Sequence, residues 1–432
     1  MGFGLTFFAW QWFVSQPVKC PQHYEENFKK TSGKIDSKDP LEIVYLFPLD
    51  FGSEKDLDFI AVELGENSRL RYIKHLGEGR YAEDEAFPLI FTEHPRDLVS
   101  FTLDGKKAFA ITDHGPDRAF GVENFTFTGG QPKIVVKESS GWKDRTKDYF
   151  PEMRFFNFTL TDLDLEEDGH VDFFITSISQ QNENSLLLTN NGKNKFEISN
   201  RGPSEFKDPD FCYMMVKKMG KIDGKEHLFL GACDRPPEAT LYKRDRIALV
   251  DRGQMKLLPE DLLPKREKDP SWGTVATKIV DLNNDGLLDI VTSVHNYGFT
   301  QGGLQLYFNT GVGMKFRSPK TNYLELSEPE KPSFIPFVKT GDLNGDHYPE
   351  ILVPRSVLFL NGVDPKVRQK FGLFQSQKGE RFRDISHCLA SSLSSVLNAE
   401  IRDFDADGRN DVLLMSYGGS YEIYFQKAAN PY

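Results

Sequence analysis

The strongest constraint in this chain is a nine-residue acidic pattern that occurs four times: DLEEDGHVD from Asp164, DLNNDGLLD from Asp281, DLNGDHYPE from Asp342 and DFDADGRND from Asp403. Each copy puts an oxygen-bearing side chain at positions 1, 3, 5 and 9. Calcium takes about six to eight hard oxygen ligands in a flexible geometry. Alternate residues of a tight loop converge on one point, and the main-chain carbonyl of position 7 adds a further ligand. The pattern therefore nominates Asp164, Glu166, Asp168, His170 and Asp172 in the first loop, and Asp281, Asn283, Asp285, Leu287 and Asp289 in the second. It nominates Asp342, Asn344, Asp346, Tyr348 and Glu350 in the third, and Asp403, Asp405, Asp407, Arg409 and Asp411 in the fourth. His170, Leu287, Tyr348 and Arg409 stand at position 7 and would offer only their carbonyls. Up to four Ca2+ ions are expected.

Position 6 is Gly in three copies because the loop turns sharply there, whereas His347 takes that place in the third. In the first copy Asp162 is an alternative to Asp164 at position 1, with two residues inserted. An acidic turn without metal has a similar composition, since Asp, Asn and Gly favour turns on their own. Four copies in one chain make chance a poor explanation. An EF-hand also begins this way but needs a bidentate Glu at position 12 and flanking helices. Position 12 is Thr292 in the second loop and Leu414 in the fourth, and the runs that follow, such as FFITSI and IVTSV, have strand composition. The loops are thus expected to join two strands of a hairpin.

The last three loops start 61 residues apart, at 281, 342 and 403, and the gap from 164 to 281 is nearly double that. The missing unit is KIDGKEHLFLGA, with the same turn near residue 222 and no ligands. Upstream, DFGSEKDLDFIAV retains Asp50, Glu54 and Asp58 as a degraded loop, and LDGKKAFAI gives a bare turn at residue 104. Seven units result, around residues 50, 104, 164, 222, 281, 342 and 403. A second landmark, a turn followed by a basic and a large apolar residue, recurs at Tyr81, Ile134, Phe196, Leu257, Phe316 and Phe382, with Phe28 as the seventh. Radial repeats of four strands predict an all-β, seven-bladed propeller. The chain ends soon after SYEIYFQK, so residues 26–32 should supply the last strand of the seventh blade and hide both edges. A solenoid would need capping units and has no use for that permutation.

These residues resemble the FG-GAP/VCBS repeat family, the propeller type of integrin α-chain heads. DLNNDGLLDIVTSV followed by GGLQLYFNTGVGMKF is similar to one complete family repeat. The likeness spans residues 26–428, strongly in units three, five, six and seven. It implies calcium in the hairpin loops on one face of the disc and ligands on the opposite face. It does not name the ligand, because the fold hosts many functions.

Net charge is −11, which argues against nucleic acid as a partner. The four loops hold more acidic residues than that whole excess. After residue 20 no stretch is apolar enough to cross a bilayer. Residues 1–20 read either as a secretory leader or as a buried N-terminal segment, and residues 21–432 as a single propeller. Cys212 and Cys233 flank the GKIDGK turn at equal distances, so a hairpin would set them opposite each other, as a disulfide or as two buried thiols. The sequons at Asn124 and Asn157 would suit a secreted eukaryotic protein.

The sequence has no HExxH, GxSxG or phosphate-binding glycine loop. His114 in ITDHGPDR, flanked by Asp113 and Asp117, and His295 in SVHNYGF sit at matching points of units two and five. They are candidates for the ligand face, with Trp272 and Tyr297 as aromatic contacts. The reading is a secreted, cell-surface or periplasmic calcium-binding propeller that binds an extracellular protein or glycan in adhesion or scaffolding. A carbohydrate lyase or hydrolase on the same scaffold, using His114 or His295, is the alternative.

Overall fold

The turns of the seven repeat units named above each fall between the first two strands of one sheet. The computed structural model describes residues 20, 27–52, 57–63, 68–115, 129–177, 185–193, 195–203, 205, 212–234, 244–266, 272–296, 301–319, 323–326, 334–355 and 371–428. The first two strands of the seven sheets are Ile43–Pro48 with Phe59–Glu63, Pro95–Leu103 with Lys106–Asp113, Asn157–Leu163 with Asp172–Ser177, and Tyr213–Ile222 with Lys225–Ala232, then Gly273–Val280 with Asp289–His295, Lys339–Gly341 with Glu350–Pro354, and Asn398–Arg402 with Asp411–Met415. In blades two and four the link is a two-residue Asp-Gly turn. Asp104 and Gly105 have φ of 49° and 72°, and Asp223 and Gly224 have φ of 52° and 78°. Positive φ at both central residues matches the twist of the flanking strands, which is why Asp-Gly serves without any metal ligand.

All sheets are antiparallel, and the chain forms a ring of seven blades. The seventh closes as expected: Phe28–Lys34 pairs with Ser420–Gln426, from Phe28 opposite Gln426 to Lys34 opposite Ser420. Both ends of the chain thereby lose their free edges. Blade five departs from four plain strands. Its outer strand is split, with Phe316–Arg317 and Tyr323–Glu325 both paired to Gly302–Asn309. Pro319, which has no amide hydrogen to donate, lies in the break.

The basic-apolar landmark falls on outer strands in blades one, three, four, five and six and on the closing strand, but not in blade two. Ile134 lies in the third strand, Lys133–Glu138, and the outer strand is Gly141–Asp144. There the order is reversed, with Trp142 before Lys143, so the pattern matched the wrong strand.

Seven apolar clusters hold the ring, and each spans one junction between neighbouring blades. One joins Phe101, Ile134 and Val136 of blade two to Leu160, Phe173 and Phe196 of blade three. Another joins Phe404, Leu413 and Ile423 of blade seven to Phe59, Ile73 and Tyr81 of blade one, completing the circle. Because a blade packs on both faces, its second strand is buried along its length; all seven residues of Asp289–His295 are buried. That explains the continuous apolar runs in place of strict alternation. Disulfides join Cys20 to Cys388 and Cys212 to Cys233. Among the described residues, no helix is long and apolar enough to cross a membrane.

Candidate metal loops and the two faces of the ring

The four acidic loops share most of one hydrogen-bond scheme. In three loops the position-1 carboxylate accepts the amides of positions 5 and 6: Asp168 and Gly169 donate to Asp164, Asp285 and Gly286 to Asp281, and Asp407 and Gly408 to Asp403. In the third, Asp342 accepts from Asn344, Gly345 and His347, and the Asp346 amide donates to Asn344 instead. The position-5 carboxylate accepts the amide of position 7, at 2.9 Å in every loop, from His170 to Asp168 through Arg409 to Asp407. These bonds hold each loop in a tight turn around its position-1 carboxylate. In the fourth loop, ligand atoms of Asp403, Asp405 and Asp407 all lie within 4.8 Å of one another.

Position 9 does a different task. Its buried carboxylate accepts the amide of position 2, from Leu165 to Asp172, Leu282 to Asp289, Leu343 to Glu350 and Phe404 to Asp411, at 2.7–2.9 Å. In three loops it also takes an amide from the third strand: Asn190, Asn309 and Gln426. It therefore ties the hairpin mouth to the blade. Burial raises these four groups above the usual carboxylate range, Asp172 to about 6, Asp289 and Asp411 to about 7 and Glu350 to about 8. The amide donors oppose the shift and neighbouring loop carboxylates add to it.

Loop geometry resolves the two irregular copies. Asp164 receives the position-1 bonds, whereas Asp162 belongs to the inner strand and pairs with Lys218 at 3.4 Å. The third loop keeps its shape without Gly at position 6. Positions 4 and 6 are left-handed throughout, as in Asn284 and Gly286 at 56° and 82°, and the third loop uses Gly345 and His347 at 79° and 69°. Glycine has moved two places, and His347 carries the strain.

The donor set fits a hard divalent cation, with carboxylate, amide and carbonyl oxygens in a loop that turns inward. Several donors are engaged in this state. Glu166 pairs with Arg201 and Asp407 with Arg409, and the Asn344 amide group donates to Glu350 at 2.8 Å. In blade one the position-9 group survives as Asp58, which accepts the Tyr72 hydroxyl and the His75 amide.

On the opposite face the candidates from the sequence are buried. His114 is 1% exposed, tilted against His94 at 4.1 Å and stacked on Phe156 at 4.3 Å. Asp113 does not orient it; its carboxylate accepts the amides of Glu93, His94 and Gly115. His295 is also buried, which pushes its pKa to about 3 and leaves the ring neutral. Trp272 packs edge-on to Tyr323, and its carbonyl accepts from Arg266, so it is an interior residue rather than an exposed contact. Asp117, Tyr297, Glu54, Asn124 and residues 1–19 lie outside the described residues. Asn157 is fully buried, and its side-chain amide donates to the carbonyls of Asp113, Gly130 and Phe155. It is therefore closed to a glycan.

Cys212 and Cys233 meet just past the ends of the blade-four hairpin and pack with Phe158, Met214, Val275 and Phe334. The sequence reading missed the axis, where charged residues of the inner strands converge. A signal existed: Lys278, Lys339 and Glu400 each stand three residues before position 1 of an acidic loop.

Fold and loops together define a β-propeller with acidic inner-hairpin loops. Residues 281–353, from the second acidic loop to the second strand of blade six, match the family model described as an FG-GAP-like repeat. That match and the seven blades fit an FG-GAP-repeat propeller. No curated protein matches the sequence. Among solved structures, a mutant of the Aleuria aurantia lectin in complex with Fucalpha1-6GlcNAc aligns at 10% identity and a TM-score of 0.42, covering 82% of this chain and all of its own. A triple arginine-to-alanine mutant of AofleA from Arthrobotrys oligospora aligns at 6% identity and a TM-score of 0.45, covering 94% of each chain.

Proposed function

We propose that the chain is a calcium-stabilised binding module, secreted, surface-held or periplasmic, whose partner is an extracellular protein or glycan. The observation that carries the calcium reading is the acidic turn shared by four loops, in each of which the position-5 carboxylate accepts the position-7 amide, with the carboxylates of Asp403, Asp405 and Asp407 gathered within 4.8 Å of one another in the fourth. The two disulfides favour an oxidising compartment, where calcium is also abundant. The ions act as staples between carboxylates that otherwise repel. Each site filled at about a hundredfold over its Kd adds about 2.7 kcal/mol. Calorimetric titration of chelator-treated protein should show saturable calcium uptake at up to four sites, and the melting temperature should rise with it. Absence of both heat and thermal shift would reduce the loops to acidic turns. For the partner, a glycan array and a surface pull-down in calcium should return ligands that chelation weakens. Ligands bound equally well in chelator would count against a calcium-supported binding surface.

A further inference from the structure

The inner strands of all seven blades enclose a cavity of about 630 Å³ on the ring axis. Its floor is apolar. Phe158, Val275 and Phe334 line it and also pack with Met214, Cys212 and Cys233 at the end away from the metal loops. Tyr45, Phe47 and Phe337 continue the apolar surface along one side. Towards the metal-loop end it is lined by Pro48, Ile279 and Arg402, the last or next-to-last residues of their inner strands.

Charge on the walls has the opposite sign to the protein. Six cations, Arg96, Lys217, Lys218, Lys278, Lys339 and Arg402, line the cavity with four carboxylates, Asp50, Asp97, Asp162 and Glu400. Six minus four leaves an excess of two positive charges, in a chain of net charge −11. Each carboxylate already has a partner: Lys217 holds Asp97 at 3.2 Å, Lys218 holds Asp162 at 3.4 Å, Lys339 holds Glu400 at 2.6 Å and Arg402 holds Asp50 at 3.5 Å. Arg96 donates to the Tyr45 hydroxyl at 2.6 Å and lies over the rings of Tyr45 and Phe158. Among the described residues Lys278 makes neither an ion pair nor a hydrogen bond. Its side chain is open to the solvent of the cavity, yet the surrounding protein and the nearby Lys339, Lys217 and Arg402 lower its pKa, with Glu400 opposing.

A cup with apolar residues at one end and a solvent-accessible, unpaired ammonium amid an excess of cations on its wall presents a site for a ligand that carries negative charge. We infer that the axial cavity binds a small organic anion, with its carboxylate or phosphate at Lys278 and a less polar body against Phe47, Phe337 and the floor. This site is separate from the metal loops and from the face expected to take a macromolecular partner. It needs no calcium ligand.

The test is calorimetric titration of the full chain, in saturating calcium and low salt, with phenyl phosphate and with inorganic phosphate. Phenyl phosphate should bind one-to-one and more tightly than phosphate. Lys278→Met should weaken it at least about tenfold. Lys278→Arg should retain it, as should Lys143→Met, which removes the same charge from the exposed outer strand of blade two. Lys278→Met should also melt close to the parent, because the side chain is exposed and makes no ion pair or hydrogen bond among the described residues; Lys278→Gln serves if Met perturbs packing. No binding of phenyl phosphate, equal affinity for the two probes, or equal loss in Lys143→Met overturns the assignment, as does unchanged affinity in Lys278→Met. Because calcium is saturating in every arm, such a failure is independent of the metal reading.

Discussion

Ring closure depends on a buried carboxylate that should make the fold acid-labile in a calculable way. Glu422, on the third strand of blade seven, has no side-chain exposure. It accepts from Lys30 on the closing strand at 2.6 Å, from the Ser392 amide at 2.9 Å and hydroxyl at 2.5 Å, and from the Tyr424 hydroxyl at 2.7 Å. Burial disfavours its charge, but Lys30, Ser392 and Tyr424 outweigh that and pull the pKa from 4.5 to about 2. A depressed folded-state pKa stabilises the fold above the unfolded value and ceases to do so as pH falls through the folded one. The difference corresponds to about 3 kcal/mol at neutral pH, of which about 2 kcal/mol is gone by about pH 3. Glu422→Gln keeps the shape and cannot titrate. Urea unfolding of both proteins should show the variant less stable by about 3 kcal/mol at neutral pH, and the gap should shrink by about 2 kcal/mol near pH 3. Other acidic groups titrate equally in both proteins and cancel. A gap that is constant with pH, or widens in acid, would refute the reasoning.

Four further substitutions probe the loops and the blade junctions. Asp411→Ala removes the acceptor of the Phe404 and Gln426 amides and should cost about 3 kcal/mol even in chelator, whereas Asp405→Ala should lower the melting temperature only when calcium is present. His347→Gly relieves a left-handed residue at 69° and should raise stability by about 1 kcal/mol in thermal melts. Arg266→Met strands Asp245, which is 2% exposed and also bonded to Thr274 and Tyr307, and should cost about 3–5 kcal/mol in denaturant unfolding.

What the sequence disclosed follows from the range over which each feature is encoded. An acidic loop is nine consecutive residues, and its conformation rests on its own side chains: Asp281 folds back on the amides of Asp285 and Gly286, four and five residues away. The repeat spacing and the paired ends were legible for the same reason, since one blade occupies one continuous stretch. Tertiary placement was not. His114 lies just past the second strand of blade two and His295 at the end of that of blade five, and their burial depends on His94, Phe156 and Phe334, which arrive from other segments. Asn157 reads as a sequon in three letters, yet its side chain is consumed by carbonyls from as far as Asp113. The axis is the extreme case. It is assembled from a few residues of each inner strand, so Lys278, Lys339 and Glu400 come together only once the ring has closed. A propeller therefore writes its rim chemistry in local motifs and its axial chemistry in single residues one repeat apart. Reading the axis requires aligning the repeats against one another at a fixed offset from the loop, and at the third residue before the loop that alignment gives Lys278, Lys339 and Glu400 in blades five, six and seven.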